Sequence, residues 1–237
     1  VMFADGRQLQ SVFFRPDMIA ETVGPGLLNA LKNTILYTLG AFVFGLALGT
    51  VLALMKLSQV APYRWIATIY TEIFRGVPAI IVLLAFGMLG VAFPGLKFPF
   101  DPYGTVWIAL GLVAAAYMAE TLRGGLQNLP KGQYEAALAL GFGYWKTMGQ
   151  IILPQVLKQS IAPLLTQFIG LFKETTLVMI VGVLDIVGIA MSTAVAPEWV
   201  EYGHEIYVFL AIYFFVICFA LSRYARHLEL RMEQSRS

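Results

Sequence analysis

Long runs without a single charge constrain this chain more than any other feature. Asn33 to Met55 contains no Asp, Glu, Lys or Arg, and the same holds for Gly76 to Leu96 and for Pro102 to Ala119. A helix needs roughly 20 mostly apolar residues to cross a bilayer, and each run approaches or exceeds that length. A fourth span begins near Ile151 and is interrupted: Gln159 to Phe172 is uncharged, Lys173-Glu174 intrudes, and Thr175 to Leu184 is uncharged again. Ile206 to Ser222 supplies the fifth. With 59% hydrophobic and 13% charged residues, the composition is not that of a soluble domain. The expected fold is an all-α integral membrane protein with five transmembrane helices.

Within the first span, Ala41, Gly45, Gly49 and Ala53 recur every fourth residue on one face. Small side chains on one face let a second helix approach closely. Pro163 and Gly170 are candidate kinks in the fourth span. Residues 1–26 are mixed and polar and read as an extracytoplasmic lead-in, with no cleavable signal peptide visible. Residues 27–231 form the membrane domain, and residues 232–237 a short tail.

Basic residues set an orientation. Lys56 and Arg64 follow the first span, Arg123, Lys131, Lys146 and Lys158 surround the loop before the fourth, and Arg223, Arg226, Arg231 and Arg236 follow the fifth. The opposite side carries fewer, namely Arg7, Arg15, Lys32 and Lys97. The positive-inside rule then predicts a cytoplasmic C-terminus and, with an odd number of spans, an N-terminus outside.

Several chemistries find no support. There is no G-x-x-x-x-G-K-[ST] phosphate loop. His204 and His227 fall on opposite sides of the expected membrane, so they cannot share a metal, and Cys218 is alone. No nucleophile and base are paired by spacing. The informative polar residues are charges placed among apolar sequence, which is costly unless they pair or line a cavity. Lys173-Glu174, followed by Thr175, is the clearest case; Arg75 and Glu120 are others. Either these residues line a substrate pathway, together with Tyr117, or they form structural ion pairs, with Glu72 joining Arg75 and Glu120 near the inner boundary.

The loop at residues 131–154 is the most specific element. It carries Glu135, Ala136 and Ala137, then Gly141 after three residues, then Ile151, Leu153 and Pro154. Tyr134, Leu138, Phe142, Trp145 and Met148 recur at roughly helical spacing and predict an apolar stripe. Glu135 is expected near a helix start, Gly141 at a left-handed turn and Pro154 in the first turn of the next helix. Read on spacing alone, the segment is an amphipathic helix on the membrane surface or a docking loop.

The pattern EAA, then G, then I-x-L-P resembles the loop by which importer-type ABC transporter permeases engage a cytoplasmic ATPase. A narrower resemblance, to polar amino-acid permeases and the general L-amino-acid transporters among them, is carried by RGVP at Arg75 to Pro78, AYMAETLRGGLQ at Ala116 to Gln127, KGQYEAA at Lys131 to Ala137, ILPQ at Ile152 to Gln155 and KETTL at Lys173 to Leu177. It extends to PEW at Pro197 to Trp199 and SRYARHLELR at Ser222 to Arg231. KETT replaces the commoner KDTS. The resemblance implies a type I ABC importer permease that moves amino acids, a broad range of polar L-amino acids, across the bacterial cytoplasmic (inner) membrane by alternating access, with Glu135, Ala136, Ala137, Gly141, Ile151, Leu153 and Pro154 coupling to the ATPase. It implies a second permease subunit, alike or paralogous, two cytoplasmic ATPase subunits that hold ATP and magnesium, and an extracytoplasmic amino-acid-binding protein. The chain itself is expected to bind no cofactor and to catalyse nothing alone. Lipid is an implied partner and nucleic acid is not. Transport of another small polar solute, a scaffold without a pathway, and a secondary transporter are the competing readings; no convincing inverted repeat favours the last.

Overall fold

A computed structural model describes residues 24–93, 95, 98–197 and 203–234. Most of the expected lead-in, the end of the tail and the tryptophan of the PEW segment lie outside them. Among the described residues all regular structure is helical. The elements are α1 (Gly24–Leu57), α2 (Ala61–Gly76), α3 (Ala79–Ala92), α4 (Tyr103–Gln127), α5 (Lys131–Ala139), α6 (Tyr144–Thr147), a π turn (Met148–Ile152), α7 (Leu153–Gln159), α8 (Ile161–Glu174), a 3-10 segment (Thr175–Val181), α9 (Ile186–Ala194) and α10 (Gly203–Gln234). In hydrocarbon each backbone polar group must be satisfied within the protein, and helices achieve this locally.

Among the described residues four helical stretches are long and apolar enough to cross a membrane: Asn29–Leu57, Tyr103–Gln127, Ile161–Val181 and Glu205–Met232. The α2–α3 pair qualifies as a fifth only if its two halves count together, because they meet at 99°. The uncharged run Gly76 to Leu96 is therefore not one straight helix. Pro78 disfavours helical backbone at the residue before it, and Val77 is extended at φ −95° and ψ 129°. At 14 residues, α3 alone is only about 21 Å long by the helical rise.

The α1–α4 contact forms the centre of the molecule. Ala41 and Ala53 are buried. A Cβ on Gly45 would stand 3.0 Å from that of Ala114 and 3.1 Å from the Gly111 carbonyl, and one on Gly49 would stand 2.9 Å from the Ala115 carbonyl. The stripe of small residues thus lets α4 lie almost backbone to backbone on α1. Trp107 locks this contact near the N-terminal end of α4 by donating its indole N–H to the Leu36 carbonyl at 3.0 Å. Leu83, Leu110, Met118, Leu122, Val156 and Leu171 complete the main core.

The fourth span is interrupted and starts at Ile161, later than the expected start near Ile151. No helix runs unbroken from Ile151: the chain passes through the π turn and α7 and breaks at Ser160 before α8 begins. Pro163 has no N–H to donate to Gln159, so it suits the first turn of α8 and the break just before it. Gly170 does not interrupt α8. Lys173 consequently lies about 18 Å along the span from Ile161, near its middle. The last turns tighten to 3-10 geometry, and Gly182 ends them at φ +76°. Asp185 then caps α9, its carboxylate accepting from the Gly188 N–H at 2.8 Å.

Candidate functional site

Between α4 and α8 the chain forms a compact loop. Glu135 and Ala136 are exposed on α5, while Ala137 turns inward and is buried. At the end of α5 the Gly141 N–H donates to the Leu138 carbonyl at 2.9 Å and the Phe142 N–H to the Ala137 carbonyl at 3.1 Å. Those two bonds, with Gly141 at φ +81°, make a Schellman termination. Glu135 sits in the second turn of α5, past the first turn where the dipole acts most strongly, so the expected dipole contribution is not realised. Nor do the five apolar residues make one stripe, because the chain reverses at Gly141. Tyr134 and Met148 pack on the core, whereas Leu138 is 45% exposed and Trp145 80% exposed. Leu140 is 76% exposed as well, so the loop carries three large apolar side chains open to solvent.

Ile151 packs against the core and lies in the π turn, which the Leu153 N–H closes by donating to the Met148 carbonyl. Pro154 occupies the first turn of α7, as its sequence position predicts. It has no N–H for the Gln150 carbonyl, and the ladder widens in the turn immediately before it.

A second feature is a cavity of about 480 Å³ where the C-terminal ends of α1 and α4 meet α2. Its charged lining residues are Lys56, Arg64, Glu72, Arg75, Glu120 and Arg123. Glu120 is engaged at both oxygens. Lys56 pairs with Oε1, and Arg123 pairs with Oε2 through Nε at 2.9 Å and a terminal nitrogen at 2.8 Å. Lys56 also donates to the buried Thr71 hydroxyl at 2.7 Å, which ties α2 to the other two helices. Arg64 folds back to donate to the Ser58 and Gln59 carbonyls beyond α1. Arg75 lies over the Tyr117 ring, 5.8 Å from its centroid.

Arg75, Tyr117 and Glu120 are therefore brought together. Lys173, Glu174 and Thr175 do not line this cavity. Lys173 is exposed and Glu174 half-buried, while Thr175 is buried with its hydroxyl donating to the Phe172 carbonyl at 2.7 Å. Sequence reading missed Lys56 as a site residue, treating it as the first charge after a span. Its closeness to the apolar run that it terminates was the available signal. Among the described residues no group of histidine, cysteine and acidic side chains is arranged to hold a metal.

Comparison with known proteins gives a consistent result. The chain is 41% identical over 189 residues to the inner membrane amino-acid ABC transporter permease protein YhdY of Escherichia coli, covering 80% of this chain and 52% of that protein. It is 43% identical over 197 residues to the glutamate/glutamine/aspartate/asparagine transport system permease protein BztC of Rhodobacter capsulatus, covering 82% of this chain and 45% of that one. The chain thus spans about half the length of these two relatives. A crystal structure of an amino acid ABC transporter with histidines contains a chain that superposes with TM-score 0.76 at 29% identity, covering 97% of this chain and all of that one. Residues 25–234 match the family described as binding-protein-dependent transport system inner membrane component. On that match, the chain belongs to the family of inner membrane components of binding-protein-dependent transport systems.

Proposed function

We propose that the chain is a pore-forming subunit of an ATP-driven importer that carries amino acids across the cytoplasmic membrane. The observation that carries this reading is the Gly141 loop, which presents Leu138, Leu140 and Trp145 to solvent between two spans. An apolar knob on a short, well-terminated loop suits a groove on a partner, and its backbone connects to α4 and, through α7, to α8. In this reading Glu135, Ala136 and Gly141 face a cytoplasmic ATPase, the buried Ala137 seats α5 on the core behind them, and Ile151, Leu153 and Pro154 transmit its movement to the span. Two such ATPases supply ATP and magnesium, a second permease subunit completes the pathway, and an extracytoplasmic binding protein delivers cargo. Residues 27–231 act as the permease domain.

The distribution of basic residues supports an orientation with the loop and the C-terminus inside and the N-terminus outside. Lys56, Arg123, Lys131, Lys146 and Lys158 gather at the loop end. Arg75, Tyr117 and Glu120 form the inner part of the pathway wall. Lys173, with Glu174 and Thr175, forms the middle part. An exposed ammonium near the centre of a span is strongly disfavoured by lipid, so its face belongs against water or the second subunit. Cargo moves because ATP binding and hydrolysis change which side of the membrane the cavity faces, a shift between two populated states.

The test is to co-purify the chain with its native membrane partners and measure ATP hydrolysis against a panel of amino acids delivered by the binding protein. Stimulation by amino acids is the expected result. A co-purifying ATPase that no amino acid stimulates would discard the cargo, and the absence of any ATPase would discard the importer.

A further inference from the structure

Helix α2 carries three strips. Ala67 and Thr71 are buried, Ala67 in one cluster with Leu52 of α1 and with Ala115 and Ala119 of α4. Arg64, Thr68, Glu72 and Arg75 recur at helical spacing and line the cavity. Ile66, Ile69 and Ile73 recur at the same spacing and are exposed. Trp65 falls where the second and third strips meet: it lines the cavity and is exposed beside the isoleucines. The helix does not run beside its neighbours. Arg75 is eight residues beyond Ala67, yet it lies over Tyr117, on the same turns of α4 that Ala67 meets. α2 therefore crosses α4 steeply, and it meets α3 at 99°. With α4 spanning the membrane, α2 lies in the membrane plane. An amphipathic helix in that position seats its apolar strip among acyl chains and its polar strip at the headgroups. Tyr63 and Trp65, both exposed, are residue types enriched at that boundary.

The polar strip faces a surplus of two positive charges, since Lys56, Arg64, Arg75 and Arg123 line the cavity against Glu72 and Glu120. Lys56 and Arg123 are committed to Glu120, and Glu72 stands one turn from Arg75. Arg64 is the cation left over. One of its terminal nitrogens donates to the Ser58 and Gln59 carbonyls, and its other two nitrogens bond nothing among the described residues. It stands about 16 Å along the helix from Arg75, so its end of the cavity is separate from the Arg75–Tyr117 wall. A guanidinium presents a planar fork of donors matched to a phosphate.

We infer that the Arg64 end of the cavity, together with the exposed strip of α2, is a binding site for an anionic phospholipid. Arg64 and the Thr68 hydroxyl one turn on take the headgroup phosphate, and an acyl chain lies along Trp65, Ile69 and Ile73. The surplus of positive charge selects a lipid of net negative charge over a zwitterionic one. The site depends on the membrane-spanning fold and is independent of which solute the chain helps to carry.

The experiment uses Trp65 as its own reporter. The complex co-purified from native membranes is placed in phosphatidylcholine nanodiscs that contain a small fraction of lipid brominated in its acyl chains, either phosphatidylglycerol or phosphatidylcholine. Bromine quenches indole emission at close range, and the Trp65 contribution is the difference between the wild type and Trp65→Phe. One basic side chain near a membrane surface corresponds to about fivefold enrichment of an anionic lipid. Brominated phosphatidylglycerol is therefore expected to quench Trp65 about fivefold more effectively than brominated phosphatidylcholine. Arg64→Gln should bring the two lipids within about twofold of each other, and Arg64→Lys should keep the preference. Raising salt from about 0.1 M to about 1 M shortens the screening length from about 10 Å to about 3 Å and should weaken the preference in the wild type, which tests the charge should Arg64→Gln fail to assemble. Equal quenching by the two lipids in the wild type would overturn the headgroup site. No quenching by either would place protein against the isoleucine strip and overturn the lipid as occupant. A preference abolished by inorganic phosphate at matched ionic strength would assign the cavity to a soluble anion instead, and one unmoved by both Arg64→Gln and salt would remove Arg64 from the site.

Discussion

Asp185 illustrates how much a single side chain carries at the residue scale. It is fully buried, caps α9, and leaves its second oxygen without a hydrogen bond. Burial pushes its carboxyl up to about 6, against hydrogen bonds from the Gly188 and Val187 backbone. A raised carboxylate prefers its neutral form in the folded state. The stability that this group contributes is therefore full below about pH 4 and is lost as pH rises through about 6, a swing on the order of 3 kcal/mol. Asp185→Asn keeps the capping acceptor and removes the charge. Its thermal midpoint in detergent is expected to exceed that of the wild type at pH 8 and to match it near pH 4. Equal midpoints at both pH values would contradict the account.

Glu120 makes a related point. Lys56→Ala leaves a largely buried carboxylate with Arg123 alone, and side-chain exposures of 10% for Lys56 and 21% for Glu120 reduce the expected loss below that of a dry pair. About 1–3 kcal/mol is expected. The double variant Lys56→Ala with Glu120→Gln should recover part of it, which a double-mutant cycle by chemical denaturation would measure.

At the scale of elements, the α1–α4 contact has no slack. Gly49→Leu must push the Ala115 carbonyl away from its 2.9 Å approach, and over-packing of this kind typically costs about 1–3 kcal/mol or more. The predicted outcome is a lower thermal midpoint with reduced recovery from membranes, whereas the same change at Gly90, where a Cβ meets nothing within 4 Å, should be tolerated. This contact was readable in advance, because the four-residue spacing of Ala41, Gly45, Gly49 and Ala53 is a property of one helix. The break between α2 and α3 was less readable. RGVP announces a boundary, and Pro78 accounts for the extended backbone at Val77, but the 99° angle between the two helices is a tertiary property that no local spacing carries. The π turn was not readable either, since it depends on where the ladder had already been set when it reached Pro154.

For the whole molecule, the legible part is the set of uncharged runs, the loop, and the turn at Gly141. Each depends on local composition or on a short spacing. The cavity was only half legible: Arg75 and Glu120 were marked by their placement in apolar sequence, but Lys56 joined them through the packing of α1, α2 and α4. Lys173 stands apart from that cluster because it lies near the middle of the span Ile161–Val181, whereas the cavity is lined from the C-terminal ends of α1 and α4 and from α2. A prediction belongs to this scale too. Trp145→Ala removes the most exposed large apolar side chain of the loop without touching the core. It is expected to reduce ATPase co-purification at least severalfold while leaving the thermal midpoint of the permease within about 1 °C, since a surface substitution rarely moves stability far. Undiminished ATPase recovery would exclude Trp145 from the docking surface.

The left-handed backbone at Gly141 has a consequence in stereochemistry. At φ +81° with nothing within 4 Å of where a Cβ would stand, the position is hostile to an L residue on account of its handedness and not for want of room. A mirror-image residue meets no such objection. Installed by semisynthesis, D-alanine at this position should preserve the turn and rigidify it, stabilising the fold by up to about 1 kcal/mol through a narrower unfolded ensemble, whereas L-alanine should loosen it. If the loop works as a stiff lever, the two enantiomers will separate in the ATP hydrolysed per molecule of cargo delivered.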